Sequence, residues 1–262
     1  MKYIERIAKI DQSERKQAII DILGEMGVGF VLQKAHVGEH DVENIVVSCN
    51  PSDKRLVIGA HYDSVEGSTG SNDDASGCSV LLHLIERSKN TGHSVDFVFF
   101  DREEYIDHGS EAYLSIVGKE NISAMVNLDM CGYGDRIVVS DKGNAGSDAF
   151  CGILDRKMTD KHAVTLVGFQ PNGDDDRFAD CNIPNISVCT LGGEDTKFFL
   201  HMGELLKEGK QPTEEDQKRF RSLDVVSTMH LAKNDNISSC GQICIDKVTE
   251  WLAEGLNGQK IR

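Results

Sequence analysis

Clustered basic residues are the first thing this chain lacks. Lys and Arg number 28 against 43 Asp and Glu, a formal net charge of −15. Nucleic acid and anionic membrane surfaces both select for grouped cations, so neither is expected as a partner. No Cys-x-x-Cys pair occurs among Cys49, Cys78, Cys131, Cys151, Cys181, Cys189, Cys240 and Cys244, which argues against a zinc ribbon. Several sit in apolar runs such as Ser187-Val188-Cys189 and read as small buried hydrophobes of a reduced protein. No run approaches the ~20 apolar residues of a membrane span. The opening MKYIERIAKIDQSERK has no signal-peptide core. Together these absences lead to the expectation of a cytoplasmic chain. Repeats, low-complexity tracts and linkers are missing too.

What is present is an alternation of apolar runs and helical stripes. The 262 residues are enough for one large α/β domain. Asp11-x-x-Glu14 has capping-box spacing and opens a helix to about Gly27, with Ile19, Ile20, Leu23 and Met26 on one stripe. Strands are predicted at 29–32, 44–47, 56–60, 95–100, 124–128, 137–139, 163–167 and 185–190. Helices are predicted after Ser76-Gly77, from Gly109 through Val117, over 146–158 and from about Gly241 to Glu254. The expected fold is α/β: a mixed, mostly parallel central sheet with helices on both faces. Residues 196–223 break the alternation, being polar and helix-forming with no strand. They read as a helical insertion into a single domain spanning 1–262, either a lid or oligomer contact or a solvated excursion.

The chemistry gathers at strand ends. Leu56-Val57-Ile58 leads into His61-Tyr62-Asp63, and a Gly/Ser loop then carries Asn72-Asp73-Asp74. VDFVFF runs into Asp101-Arg102-Glu103-Glu104, and the strand at 124–128 ends in Asp129. Ligands of α/β sheets bind at the carboxyl ends of strands. His61, Asp73, Glu103, Glu104, Asp129 and a late His230 therefore form one candidate constellation. Two histidines with several carboxylates suit zinc, and there are enough of them for a two-metal site with one carboxylate shared. Asp63, two residues beyond His61, is placed to orient its ring.

The order His61-x-Asp63, Asn72-Asp73-Asp74-Ala75-Ser76-Gly77, Glu103-Glu104 with Gly109-Ser110, Asn127-Leu128-Asp129-Met130 and His230 resembles the di-zinc aminopeptidase family. That family includes leucyl aminopeptidases and aminopeptidase Y, with glutamate carboxypeptidase and glutaminyl cyclase as relatives. The resemblance covers about Asn44 to Leu252, with a weaker echo in Asp174-Asp175-Asp176-Arg177-Phe178 and Ile183-Pro184. It implies two Zn2+ per chain bridged by Asp73, with His61 and Asp129 on one and Glu104 and His230 on the other. It implies Glu103 as general base on a metal-bridging hydroxide, Asp63 as the orienter of His61, and a cis Asp73–Asp74 peptide. The implied substrate is a peptide or small aminoacyl compound, cut at its N-terminal residue.

Three features depart from that family. Asn234 stands where it usually has Asp, and Asp235 comes one place late. Ile106-Asp107-His108 intervenes where Gly and apolar residues are usual, so that Asp107 and His108 become candidate pocket residues. The third is the 196–223 segment. Other readings on the same scaffold are a single-zinc glutaminyl cyclase, a carboxypeptidase or amidohydrolase using Arg102, Arg136 or Arg177, and a binding module without catalysis. A homo-oligomer is compatible with all of them.

Overall fold

The structure is a computed structural model and describes residues 1–88, 91–105 and 108–258. A short helix α1 (Ile4–Ile7) precedes α2 (Gln12–Glu25). Asp11 caps α2, its carboxylate accepting from the amides of Ser13 at 2.8 Å and Glu14 at 3.1 Å. Then come β1 (Val31–Val37), β2 (His40–Cys49), β3 (Arg55–His61), α3 (Ala75–Arg87), β4 (Val95–Phe100), α4 (His108–Val117) and β5 (Ile122–Leu128). They are followed by β6 (Arg136–Ser140), α5 (Arg156–Lys161), β7 (Thr165–Val167), α6 (Asp175–Asp180) and β8 (Asn185–Leu191). Helices α7 (Gly193–Lys207), α8 (Glu214–Phe220) and α9 (Gln242–Gly258) complete the chain.

One eight-stranded sheet results, in the order β1-β2-β4-β3-β5-β8-β6-β7. Its centre, β4-β3-β5-β8, is parallel. Antiparallel pairs join β1 to β2, β2 to β4 and β8 to β6. The expected mixed α/β sheet is therefore what forms. Side-chain alternation explains why its central strands read as largely apolar runs. In β3, Leu56, Ile58 and Ala60 enter one core with α1, α2, α3 and α9, while Val57 enters another. In β4, Phe97 and Phe99 face the first core, and Val98 and Phe100 join Tyr113 of α4 and Phe178 of α6 in the second. Both faces are covered, so both sets of side chains must be apolar.

Three predicted elements differ from the observed ones. The first strand begins at Val31 and runs to Val37, beyond the predicted 29–32. It lies at the sheet edge, where polar Gln33, Lys34 and His36 carry no hydrophobic signal. No continuous helix spans 146–158. A single 3-10 turn, Asp148–Phe150, stops at Cys151 and Gly152, both at positive φ, and α5 starts only at Arg156. The 196–223 segment is helical as expected but not merely a surface excursion. Phe198, Phe199 and Met202 of α7 are buried with Val138, Cys189 and Leu191 of the sheet.

Close approach of α7 to the sheet rests on two glycines. A Cβ on Gly203 would lie 2.6 Å from the backbone nitrogen of Gly168 and 3.0 Å from its Cα. Neither atom can move aside as a flexible side chain can. Gly203→Ala is accordingly expected to lower the unfolding free energy by about 1–3 kcal/mol, read as a lower urea midpoint at unchanged slope.

Candidate metal centre

Parallel strands deliver their carboxyl ends to one edge, and the polar residues follow from that. His61 is the last residue of β3, Glu103 and Glu104 lie just past the end of β4, and Asp129 follows Leu128 of β5. The loop after β3 brings Asp73 to the same edge and closes through a cis Asp73–Asp74 peptide. His230 arrives from the segment before α9, at φ +54°. Two donor groups result, His61–Asp73–Asp129 and Asp73–Glu104–His230, each with its ligand atoms within 4.8 Å of one another. The two oxygens of Asp73 divide between them. Oδ1 is 3.2 Å from His61 Nε2, and Oδ2 is 3.7 Å from His230 Nε2. Glu104 Oε2 is 3.4 Å from His230 Nε2, and Asp129 Oδ1 is 3.9 Å from His61 Nε2. Glu103 is in neither group; its Oε2 lies 4.0 Å from His61 Nε2. All six residues of the constellation read from the sequence thus meet at one edge.

The donor set fits a metal ion. Both ring nitrogens of His61 and Oδ1 of Asp129 are buried with no hydrogen-bond partner of good geometry among the described residues. Burial pushes the Glu104 carboxyl up to about 8, with Asp73 the next contributor, and drives Glu103 well above the usual carboxylate range. Burial raises Asp73 as well, but the two histidines outweigh it and hold it below its ordinary value. Crowded acids that resist ionisation side by side are what a divalent cation relieves.

Neighbouring carboxylates hold backbone instead. Asp63 Oδ1 accepts from the Glu103 amide at 3.0 Å, and Oδ2 from the Glu104 amide at 3.2 Å. Asp63 Oδ1 is also 3.4 Å from His61 Nδ1, so it positions both glutamates as well as the ring. Asp74 caps α3 through Gly77 N at 2.8 Å and accepts from the Met130 amide at 3.1 Å. Asn72 donates to Thr228 Oγ1 at 2.9 Å and accepts from Gly132 N at 2.9 Å. Asp235, one place late against the family pattern, does not reach His230. It accepts from Ser68 Oγ at 2.7 Å and Asn72 N at 2.9 Å. Of these roles, the sequence pointed only to Asp63 as the residue that orients the His61 ring.

An apolar cavity of about 90 Å³ opens beside the donor groups. Met130, Leu191, Phe199, Phe220, Val225 and Met229 form its wall, and Asp73, Glu103, Asp129 and His230 its polar side. No lysine or arginine lines it among the described residues. Arg102 instead donates to the Asp41 carbonyl at 3.0 Å, Arg136 lies 3.8 Å from Asp135, and Arg177 lies 3.6 Å from Asp180. His108 packs 5.3 Å from the His40 ring and is not in the cavity wall. Asp107 lies outside the described residues.

Residues 44–239 match the pattern described as Peptidase family M28. The chain belongs to that family. Among curated relatives it is 33% identical to a vacuolar membrane protease of Yarrowia lipolytica and 31% identical to human endoplasmic reticulum metallopeptidase 1. Each match covers 39% of this chain and 12% of the relative, so the chain corresponds to a small part of those proteins. Solved structures share the fold over most or nearly all of its length. A Zn-dependent exopeptidase from Parabacteroides distasonis aligns with a TM-score of 0.70 at 16% identity, covering 98% of this chain and 96% of that one. Porphyromonas gingivalis glutaminyl cyclase aligns with 0.70 at 18% identity and the same coverage. A zinc aminopeptidase from Bacillus subtilis aligns with 0.60 at 18% identity, over 83% of this chain and 50% of that one.

Asp235→Ala would leave Ser68 Oγ and the Asn72 amide, both buried, without their acceptor. A loss of about 2–4 kcal/mol in unfolding free energy is expected from a urea titration.

Proposed function

We propose that the protein is a zinc-dependent aminopeptidase that prefers an apolar N-terminal residue. One observation carries the reading: two donor groups share Asp73, with Glu103 beside them and in neither. His61, Asp73 and Asp129 would hold one zinc, and Asp73, Glu104 and His230 the other. Bound there, zinc supplies Lewis acidity, bringing the pKa of a water toward about 7 and polarising a carbonyl oxygen. Glu103, left outside both donor sets, takes the proton of the attacking water on its carboxylate and passes it to the leaving amine. Asp63 keeps Glu103 at that station through the backbone bond already described.

The end of the peptide that enters follows from charge. The cavity's polar side is acidic and its wall carries no cation among the described residues, which suits an ammonium and repels a C-terminal carboxylate. This argues against the carboxypeptidase reading. The aromatic and aliphatic wall suits an apolar side chain of modest size. All eight cysteines are free, which supports a reducing compartment as its setting. No helix among the described residues is long and apolar enough to cross a membrane.

A single-zinc glutaminyl cyclase is the second reading, favoured by the fold likeness over nearly the whole of both chains. Metal analysis with a substrate panel separates the two. Two zincs per chain and hydrolysis of unblocked leucyl or phenylalanyl substrates, with N-acetylated ones left intact, are expected. One zinc and cyclisation of N-terminal glutaminyl peptides would replace the aminopeptidase reading. Glu103→Gln is expected to keep zinc while kcat falls by about 10²–10⁴-fold. Glu104→Gln is expected to lose zinc to a chelator that wild type resists, and equal zinc loss in both variants would refute the assignment. Zinc added to chelated protein should also raise Tm, since it binds only the folded state.

A further inference from the structure

A buried cation underlies the centre. Arg15 of α2 is fully buried, and it lies outside the residues 44–239 matched to the family. No carboxylate among the described residues forms an ion pair with it; its donors go to backbone carbonyls instead. Nε donates to Tyr62 O at 2.5 Å and Nη2 to Asp63 O at 3.3 Å. Nη1 donates to Thr69 O at 2.6 Å, and both Nη atoms lie 3.3 Å from Gly70 O. Tyr62 and Asp63 directly follow His61, and Gly70 is three residues before Asp73. One planar group therefore grips the loop between those two residues at both ends.

The grip is tight. Gly70 stands at φ +51°, and a Cβ there would lie 2.7 Å from Arg15 Nη1. Burying an ionised group without a paired charge is costly. Burial still holds the guanidinium below its ordinary value; the carbonyls and the nearby carboxylates of Asp63, Asp74 and Asp235 offset part of that cost. A guanidinium spreads five donors over a rigid fork, whereas an ammonium offers three from one point. Carbonyls at two separate stretches of chain call for the fork.

We infer that Arg15 is a positioning residue for the metal centre: its guanidinium holds Tyr62–Asp63 and Thr69–Gly70 so that His61 and Asp73 face each other across the cleft. The inference rests on the metal-centre reading. Its consequence is that a helix outside the matched region sets how well the matched region binds metal.

Zinc affinity of the full chain, measured by competition with a chromogenic chelator, tests this. The proteins compared are wild type, Arg15→Lys, Arg15→Met and Tyr113→Phe. Tyr113 is a control for simple loss of a buried bond, since its hydroxyl donates to Asp96 at 2.6 Å near the amino end of β4. Arg15→Met is expected to weaken zinc binding by about 10–100-fold and to lower kcat more than it raises KM. Arg15→Lys is expected to recover part of that affinity. Tyr113→Phe should lower Tm with zinc affinity unchanged. A folded Arg15→Met that binds zinc as wild type does would overturn the inference. Where the Met variant does not fold, the Lys variant carries the same comparison. Failure of both to fold would make Arg15 a determinant of the fold at large and equally overturn its positioning role. Wild type binding no zinc defeats the metal-centre reading itself; equal binding by wild type and variants defeats only the part assigned to Arg15.

Discussion

The arrangement depends on one carboxylate being shared. Asp73 turns one oxygen toward His61 and the other toward His230, at 3.2 and 3.7 Å. The two histidines come from opposite parts of the chain, yet both must meet a side chain that is 5% exposed. An error at either contact would break both donor groups together. Much of the surrounding structure serves to hold that convergence, and its hydrogen bonds are mainly between side chains and backbone.

The acids near the cleft divide into two kinds. Asp63, Asp74 and Asp235 each accept from at least one backbone amide, joining the loop after β3 to the ends of β4 and β5 and to the segment around His230. Asp73, Glu103, Glu104 and Asp129 face one another across the cleft instead. Holding such a group together without a cation is unfavourable, and sites of this kind trade local stability for ligand binding. The first kind makes the second tolerable, because the loops cannot relax to separate the charges.

A comparable division explains the helical segment after β8. Its polar, charged sequence is compatible with a lid, an oligomer contact or a solvated excursion. The structure shows α7 packed on the sheet through Phe198, Phe199 and Met202, with Phe199 and Phe220 turned into the cavity beside the acids. α8 is held by a capping box at Thr213–Asp216 and by His201, 3.0 Å from Asp216. Part of the wall that an incoming side chain would meet thus comes from a segment whose sequence left open whether it was a lid, an oligomer contact or a solvated excursion.

The amino-acid order by itself determined the α/β class and the central strands, because runs buried on both faces are local and mostly apolar. It also determined the donor types, because His61, Glu103, Glu104 and Asp129 each stand at or just beyond such a run. The edge strand β1 and the break at Cys151 and Gly152 were not readable, since polar edge positions and left-handed backbone carry no hydrophobic period. Only the tertiary structure decided which acids hold backbone and which face the cleft, that Asp235 serves the loop and not His230, and that Arg15 lies beneath it. Those assignments rest on contacts such as His230 N to Asp73, 157 residues apart. No local pattern encodes which distant carbonyl or amide a buried side chain will meet.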